Sequence, residues 1–131
     1  MTRAAKVPKP LSEGEETLAV QTRLANLPEP QRQAKLIPGR RWVWDFAWDR
    51  IPSRAYRGLT LQRRIAVEVH GGIWGKGRKN ATRLGHATGT GLERDFKKAN
   101  AACLAGYRTL FFSTAMVKSG EAIATLERML R

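Results

Sequence analysis

Several things are scarce in this chain, and each shortage narrows what it can be. A single cysteine, Cys103, excludes an internal disulfide, and one Cys with only two His, at 70 and 86, offers no zinc set at familiar ligand spacing. A reducing, cytoplasmic setting is therefore expected. No apolar run reaches the length of a membrane span, and the opening "MTRAAKVPKPLSEGEE" is basic but has no hydrophobic signal core, so neither a membrane partner nor secretion is expected. The glycine-rich stretch contains no G-x-x-x-x-G-K-[ST], which argues against a P-loop nucleotidase. Acidic residues are also few: 11 Asp+Glu stand against 24 Lys+Arg, a formal charge of +13 in 131 residues. An excess of that size points to a polyanionic partner, and nucleic acid suits it best because phosphate neutralisation releases counterions.

What remains is ordinary for one globular domain, with 42% hydrophobic residues and enough length for a core of its own. Residues 1–11, with Pro8 and Pro10, read as a flexible basic arm ahead of a single domain over 12–131. "SEGE" then predicts a helix with Ser12 as N-cap and Glu15 completing a capping box, with Val20, Leu24 and Leu27 on its inner face. A short strand is expected around Ala34 to Ile37. In "RRWVWDFAWDR" strict alternation sets Trp42, Trp44, Phe46 and Trp48 on one face of a strand, and Val43, Asp45 and Ala47 on the other. Ile51 to Arg64 reads as an enlarged hairpin connection. "IAVEVH" follows as a strand, with Ile65, Val67 and Val69 on one face and Ala66, Glu68 and His70 on the other.

Gly71 to Gly91 is basic and glycine-laden, and reads as a mobile surface loop. A helix from about Leu92 to Ala105 is expected to bury Leu92, Phe96, Ala99 and Cys103, with Gly106 at its C-cap. "YRTLFFS" is a last strand. A closing helix carrying Ile123, Leu126 and Leu130 starts at Ser119. The order predicts an α/β fold with a mixed sheet.

The chemistry-bearing residues interrupt apolar strands. If the two long strands are neighbours, Asp45, Glu68 and His70 share one sheet face, and two carboxylates beside a polar group suit Mg²⁺, with Mn²⁺ as a substitute. Exposed basic residues supply phosphate contacts: Arg40, Arg41, Lys76, Arg78, Lys79, Arg83, Arg94 and Lys97, with Trp74 among glycines as a candidate for base stacking. The plainer alternative is that these acids lie on the solvated face of an antiparallel strand, and that Arg94, Lys97 and Lys98 form a solvated basic helix face. An HNH-type site of His70, Asn80 and His86 lacks the paired strands and helix that should frame it.

Taken together, "WVWDFAW", "IAVEVHGGIW" and "GLERDFKKANAACLAGYRTLFF" resemble the P-D-(D/E)-x-K nuclease superfamily. The nearest likeness is its small phage and prophage branch related to very-short-patch-repair-like endonucleases. In that branch a "RWRFDFAW" strand precedes "AVEVDGG", a glycine-rich "GRH" loop, an "E-x-D-x-x-K-x-N" helix and a "G-[WY]" strand. The resemblance spans about Ser12 to Arg131. It implies a restriction-endonuclease-like α-β-β-β-α-β core plus a C-terminal helix, and a Mg²⁺-dependent DNA endonuclease of phage or prophage origin acting in a bacterial cytoplasm. Asp45 and Glu68 match the motif's metal-binding acids, and the superfamily's helix-borne acid matches Glu16, with Glu15 as the alternative. His70 stands where the superfamily usually has lysine, a departure shared with the branch. The resemblance leaves His70 as a general base or water-orienting group and Lys98 as the source of the missing positive charge. A homodimer is compatible with a double-strand cut by so small a domain. A DNA-binding module that has lost catalysis is the alternative on the same scaffold.

Overall fold

The computed structural model describes residues 12–52, 62–71 and 89–131. The expected basic arm at 1–11, residues 53–61 of the hairpin connection and residues 72–88 of the glycine-rich loop lie outside the described residues. The elements run α1 (Glu13–Leu24), β1 (Gln31–Ala34), β2 (Trp44–Pro52), β3 (Gln62–His70), α2 (Gly89–Leu104), β4 (Tyr107–Ser113), α3 (Thr114–Lys118) and α4 (Glu121–Leu130). Among the described residues four strands form one mixed sheet in the order β1-β2-β3-β4. The first three are antiparallel neighbours, and β4 lies parallel to β3. A parallel neighbour needs a crossover, which the segment carrying α2 provides.

Helix α1 begins as its sequence predicts. Ser12 is extended, and its hydroxyl accepts from Glu15 N–H at 3.2 Å. The Glu15 side chain turns to β1 instead of closing a capping box, accepting from Gln33 Nε2 at 2.7 Å and Arg32 Nη2 at 3.4 Å. The inner face of the helix is Gly14, Glu15, Leu18 and Thr22; Val20 and Leu24, expected inside, are 51% and 81% exposed. Close approach explains the difference. A Cβ on Gly14 would come within 2.8 Å of Thr114 Oγ1 and 3.0 Å of Val69 Cγ1, so the small residue lets α1 descend onto β3 and α3.

The main core lies on that face of the sheet. Phe46, Trp48, Ile65, Val67, Val69 and Phe112 pack there against Leu18, Val117, Ala122, Leu126 and Leu130. Phe46 and Trp48 stack with centroids 6.2 Å apart, and Trp48 Nε1 satisfies its hydrogen by donating to Pro28 O at 2.8 Å. A second cluster of Trp44, Ala66, Ala102 and Tyr107 fills the opposite face beneath α2.

Several boundaries differ from expectation. The first strand is Gln31–Ala34, a polar edge strand held by pairing with β2, and not Ala34 to Ile37. Ile51, Pro52 and Gln62 to Arg64 are strand residues, so both long strands run past the expected connection. The closing helix is preceded by the short α3, capped by Ser113, whose hydroxyl accepts from Met116 N–H. The turn into α4 is Gly120 at φ +88°, with Ser119 Oγ accepting from Glu121 N–H. Among the described residues no helix is long and apolar enough to cross a membrane.

Candidate active site

Register assembles the site. Phe46 pairs with Val67 in the antiparallel β2–β3 ladder, so one step further along puts Asp45 across from Glu68. The regular ladder gives way there. The Val69 N–H donates to Asp45 Oδ2 at 2.7 Å, so a side chain of β2 takes a backbone donor of β3. Gln33, opposite Asp45 on β1, adopts a left-handed φ of +48°, an uncommon state for a residue with a Cβ. The irregularity has a visible result in β2. Alternating β3 neighbours Ala66 and Val67 belong to opposite faces, and Trp44 packs with Ala66 while Phe46 packs with Val67. The expected single face of tryptophans is thus broken at Asp45, and Trp44 crosses to the α2 side.

Helix α2 delivers the cation. Lys98 Nζ lies 2.7 Å from Glu68 Oε1, 2.7 Å from Val43 O and 4.6 Å from the centre of the Trp44 ring. Both partners of the ion pair are largely shielded from water. The orientation of α2 therefore differs from its apolar pattern: Lys98 and Ala102 face the sheet, while Leu92, Phe96 and Cys103 are exposed, Phe96 by 57%. A lysine with a buried carboxylate, a carbonyl and an aromatic face as partners outweighs the burial of Phe96, and the Cβ of Ala102 permits the close contact.

Glu15 also reaches the site, from the α1 side. It is 6% exposed, and its carboxyl shares a hydrogen bond with that of Asp45. Glu16, the preferred match from the sequence, is exposed. The signal that separates them is face: Glu15 lies on the same helical stripe as Leu18 and Thr22, and Glu16 does not. His70 continues the Glu68 face of β3, and its ring leans on Phe111 with centroids 5.8 Å apart. Gln33, Arg32 and the Val43 carbonyl hold the acids and the ammonium in place, and sequence reasoning singled out none of them.

Burial and crowding set the electrostatics. Desolvation pushes Glu68 up to about 7 against the opposing pull of Lys98, and the Asp45 charge raises it further. Glu15 is also raised, first by burial, then by the charge and shared hydrogen bond of Asp45, while Gln33 and Arg32 act in the other direction. Burial and the neighbouring Asp45 charge thus both push Glu15 and Glu68 toward their protonated forms, against Arg32, Gln33 and Lys98. Among the described residues no group of three or more His, Cys, Asp or Glu is arranged to hold a metal ion. The charge of Asp45 acts on both Glu15 and Glu68, while the Glu68 carboxylate is held by Lys98 and the Asp45 carboxylate by Val69 N–H. Carboxylate oxygens are the donor type that Mg²⁺ takes, beside several retained waters.

Of the proposed phosphate contacts, Arg40 and Arg41 are exposed just ahead of β2, with Arg40 Cζ 4.7 Å over the Trp42 ring. Arg94 and Lys97 are exposed on α2. Trp74, Lys76, Arg78, Lys79 and Arg83 lie outside the described residues, as do Asn80 and His86 of the HNH alternative. No protein-family model, curated protein or solved structure matches this chain.

Proposed function

We propose that this chain is a Mg²⁺-dependent endonuclease that hydrolyses phosphodiester bonds in DNA on a restriction-endonuclease-like core of the P-D-(D/E)-x-K type. The observation that carries this reading is the convergence of Asp45, Glu68 and Lys98, from β2, β3 and α2, within a chain of formal charge +13. Asp45 and Glu68 would hold the ion. When bound, Mg²⁺ supplies a Lewis acid that acidifies water and neutralises phosphate charge.

The chain's own groups have separable tasks. Val69 N–H fixes the Asp45 carboxylate, and Glu15 crowds it with a second acid. Lys98, anchored by the Val43 carbonyl, holds an ammonium beside Glu68, where it can meet a non-bridging phosphate oxygen and offset the charge that grows there during hydrolysis. His70, on the same strand face, is in position to orient or deprotonate water. Arg40, Arg41, Arg94 and Lys97 grip the flanking backbone without reading sequence.

One observation favours a second reading. The 2.7 Å Lys98–Glu68 pair already satisfies the carboxylate, as a scaffold that binds DNA without cutting it would require. Incubation of plasmid, branched DNA and RNA with Mg²⁺ or with EDTA, using wild type and Asp45→Ala, separates the two. Cutting that needs Mg²⁺ and Asp45, with binding retained in the variant, supports the nuclease. Binding by wild type with no cutting of any substrate leaves the binding module.

A further inference from the structure

Phe111 is an aromatic residue beside the site whose packing leaves it half exposed. It lies in the middle of β4, paired in parallel register with Glu68, and is 45% exposed. Its neighbour Phe112 points into the main core, so Phe111 stands on the other face, beside Glu68 and His70. Two rings flank it: His70 of β3 at 5.8 Å and 32°, and the fully buried Trp44 of β2 at 6.3 Å and 52°. Trp44 in turn lies under the Lys98 ammonium. A half-open aromatic face is therefore braced from two strands and set next to the carboxylate–ammonium pair, on a protein whose charge calls for a polyanion.

We propose that Phe111, supported by His70 and Trp44, is a stacking platform for a nucleobase adjoining the phosphate handled at Asp45, Glu68 and Lys98. The preferred substrate is then DNA with an unpaired base at that point, such as a single strand or a flap, and not an unbroken duplex. Every base has a π-face, so a ring of this kind favours unstacked nucleotides without choosing among sequences. Within a continuous duplex both faces of a base are covered by its neighbours, and exposing one requires unstacking. This inference rests on the nuclease reading for the position of the phosphate, but its test does not depend on cutting.

Fluorescence anisotropy in EDTA at fixed salt compares a labelled single strand, a flap and a blunt duplex against wild type, Phe111→Ala and Phe111→Trp. Wild type is expected to bind the single strand and flap more tightly than the duplex. Phe111→Ala weakens both by roughly tenfold, the loss of one base–aromatic stack, while duplex binding stays unchanged and Phe111→Trp restores affinity. Unchanged duplex binding also reports that the alanine variant is folded. A 2-aminopurine placed in the strand is quenched on binding to wild type and to Phe111→Trp, and not to Phe111→Ala. Equal affinities of wild type and Phe111→Ala for the single strand, or an equal loss on all three DNAs, overturns the platform while leaving the nuclease reading intact. Expected binding differences without any Mg²⁺-dependent cutting keep the platform and remove the nuclease.

Discussion

Replacing Glu68 by glutamine is expected to make the protein more stable at high pH and almost inactive. Burial lifts the Glu68 carboxyl from the ordinary 4.5 to about 7, so between those values the folded chain retains a proton that the unfolded chain has released. Folding stability therefore falls as pH rises through this window. At about 1.4 kcal/mol for each tenfold change, the interval amounts to up to about 3 kcal/mol, fully developed by about pH 8. Glutamine resembles the protonated acid in size and still offers Lys98 an oxygen. Wild type and Glu68→Gln should then be about equally stable near pH 5, and the variant more stable by up to about 3 kcal/mol near pH 8. For a domain of this size that corresponds to roughly 10 °C in Tm. Groups common to both proteins cancel in the difference. The assay is urea and thermal unfolding at about pH 5, 6, 7 and 8 without divalent ions, paired with cleavage of plasmid and flap DNA in Mg²⁺, which should fall at least about a hundredfold. Parallel stability curves for the two proteins, or a wild type that is the more stable at pH 8, would refute the claim that folding holds Glu68 as a destabilised carboxylate.

Lys98→Met retains the aliphatic cover on Trp44 but strands Glu68, and should destabilise by about 3 kcal/mol near pH 8 and much less near pH 5, where Glu68 is protonated; urea midpoints at the two pH values test this. Gly14→Ala forces a methyl group against Thr114 Oγ1 and Val69 Cγ1, at a cost of about 1–3 kcal/mol, and adding Thr114→Ala should recover part of the lost Tm. DNA affinity should fall by roughly a thousandfold or more between about 50 and about 200 mM salt, and a titration indifferent to ionic strength contradicts the phosphate grip.

Much of the architecture is legible in the residue order, because periodicity reports which side chains a strand or helix offers to a core. The mixed α/β sheet, the two long strands bearing Asp45 and Glu68, and the glycine turn at Gly106 follow from local pattern and backbone preference. What does not follow depends on partners distant in sequence. Trp44 leaves its expected face because the ladder breaks around Asp45, opposite a left-handed Gln33. Helix α2 turns Phe96 outward because Lys98 finds Glu68 and Val43 inside. Glu15 and Glu16 are equivalent to composition, and it is the stripe of Gly14, Leu18 and Thr22, with Gly14 letting α1 settle close to β3, that turns Glu15 inward. The strand Gln31–Ala34 has no apolar alternation of its own and exists through its pairing with β2.

The parallel position of β4 has a kinetic side. Strands β1 and β2 each pair antiparallel with the next in sequence, whereas β4 joins β3 in parallel only after the crossover segment that carries α2. Long-range parallel pairing closes the largest loop and forms slowly. Asp45 and Glu68 are brought together by the early meander, but Lys98 and Phe111 arrive with the crossover. A partial opening that frees α2 and β4 takes Lys98 and Phe111 away from Glu68 while the meander persists, so amide exchange in α2 should track loss of the proposed site more closely than exchange in β2.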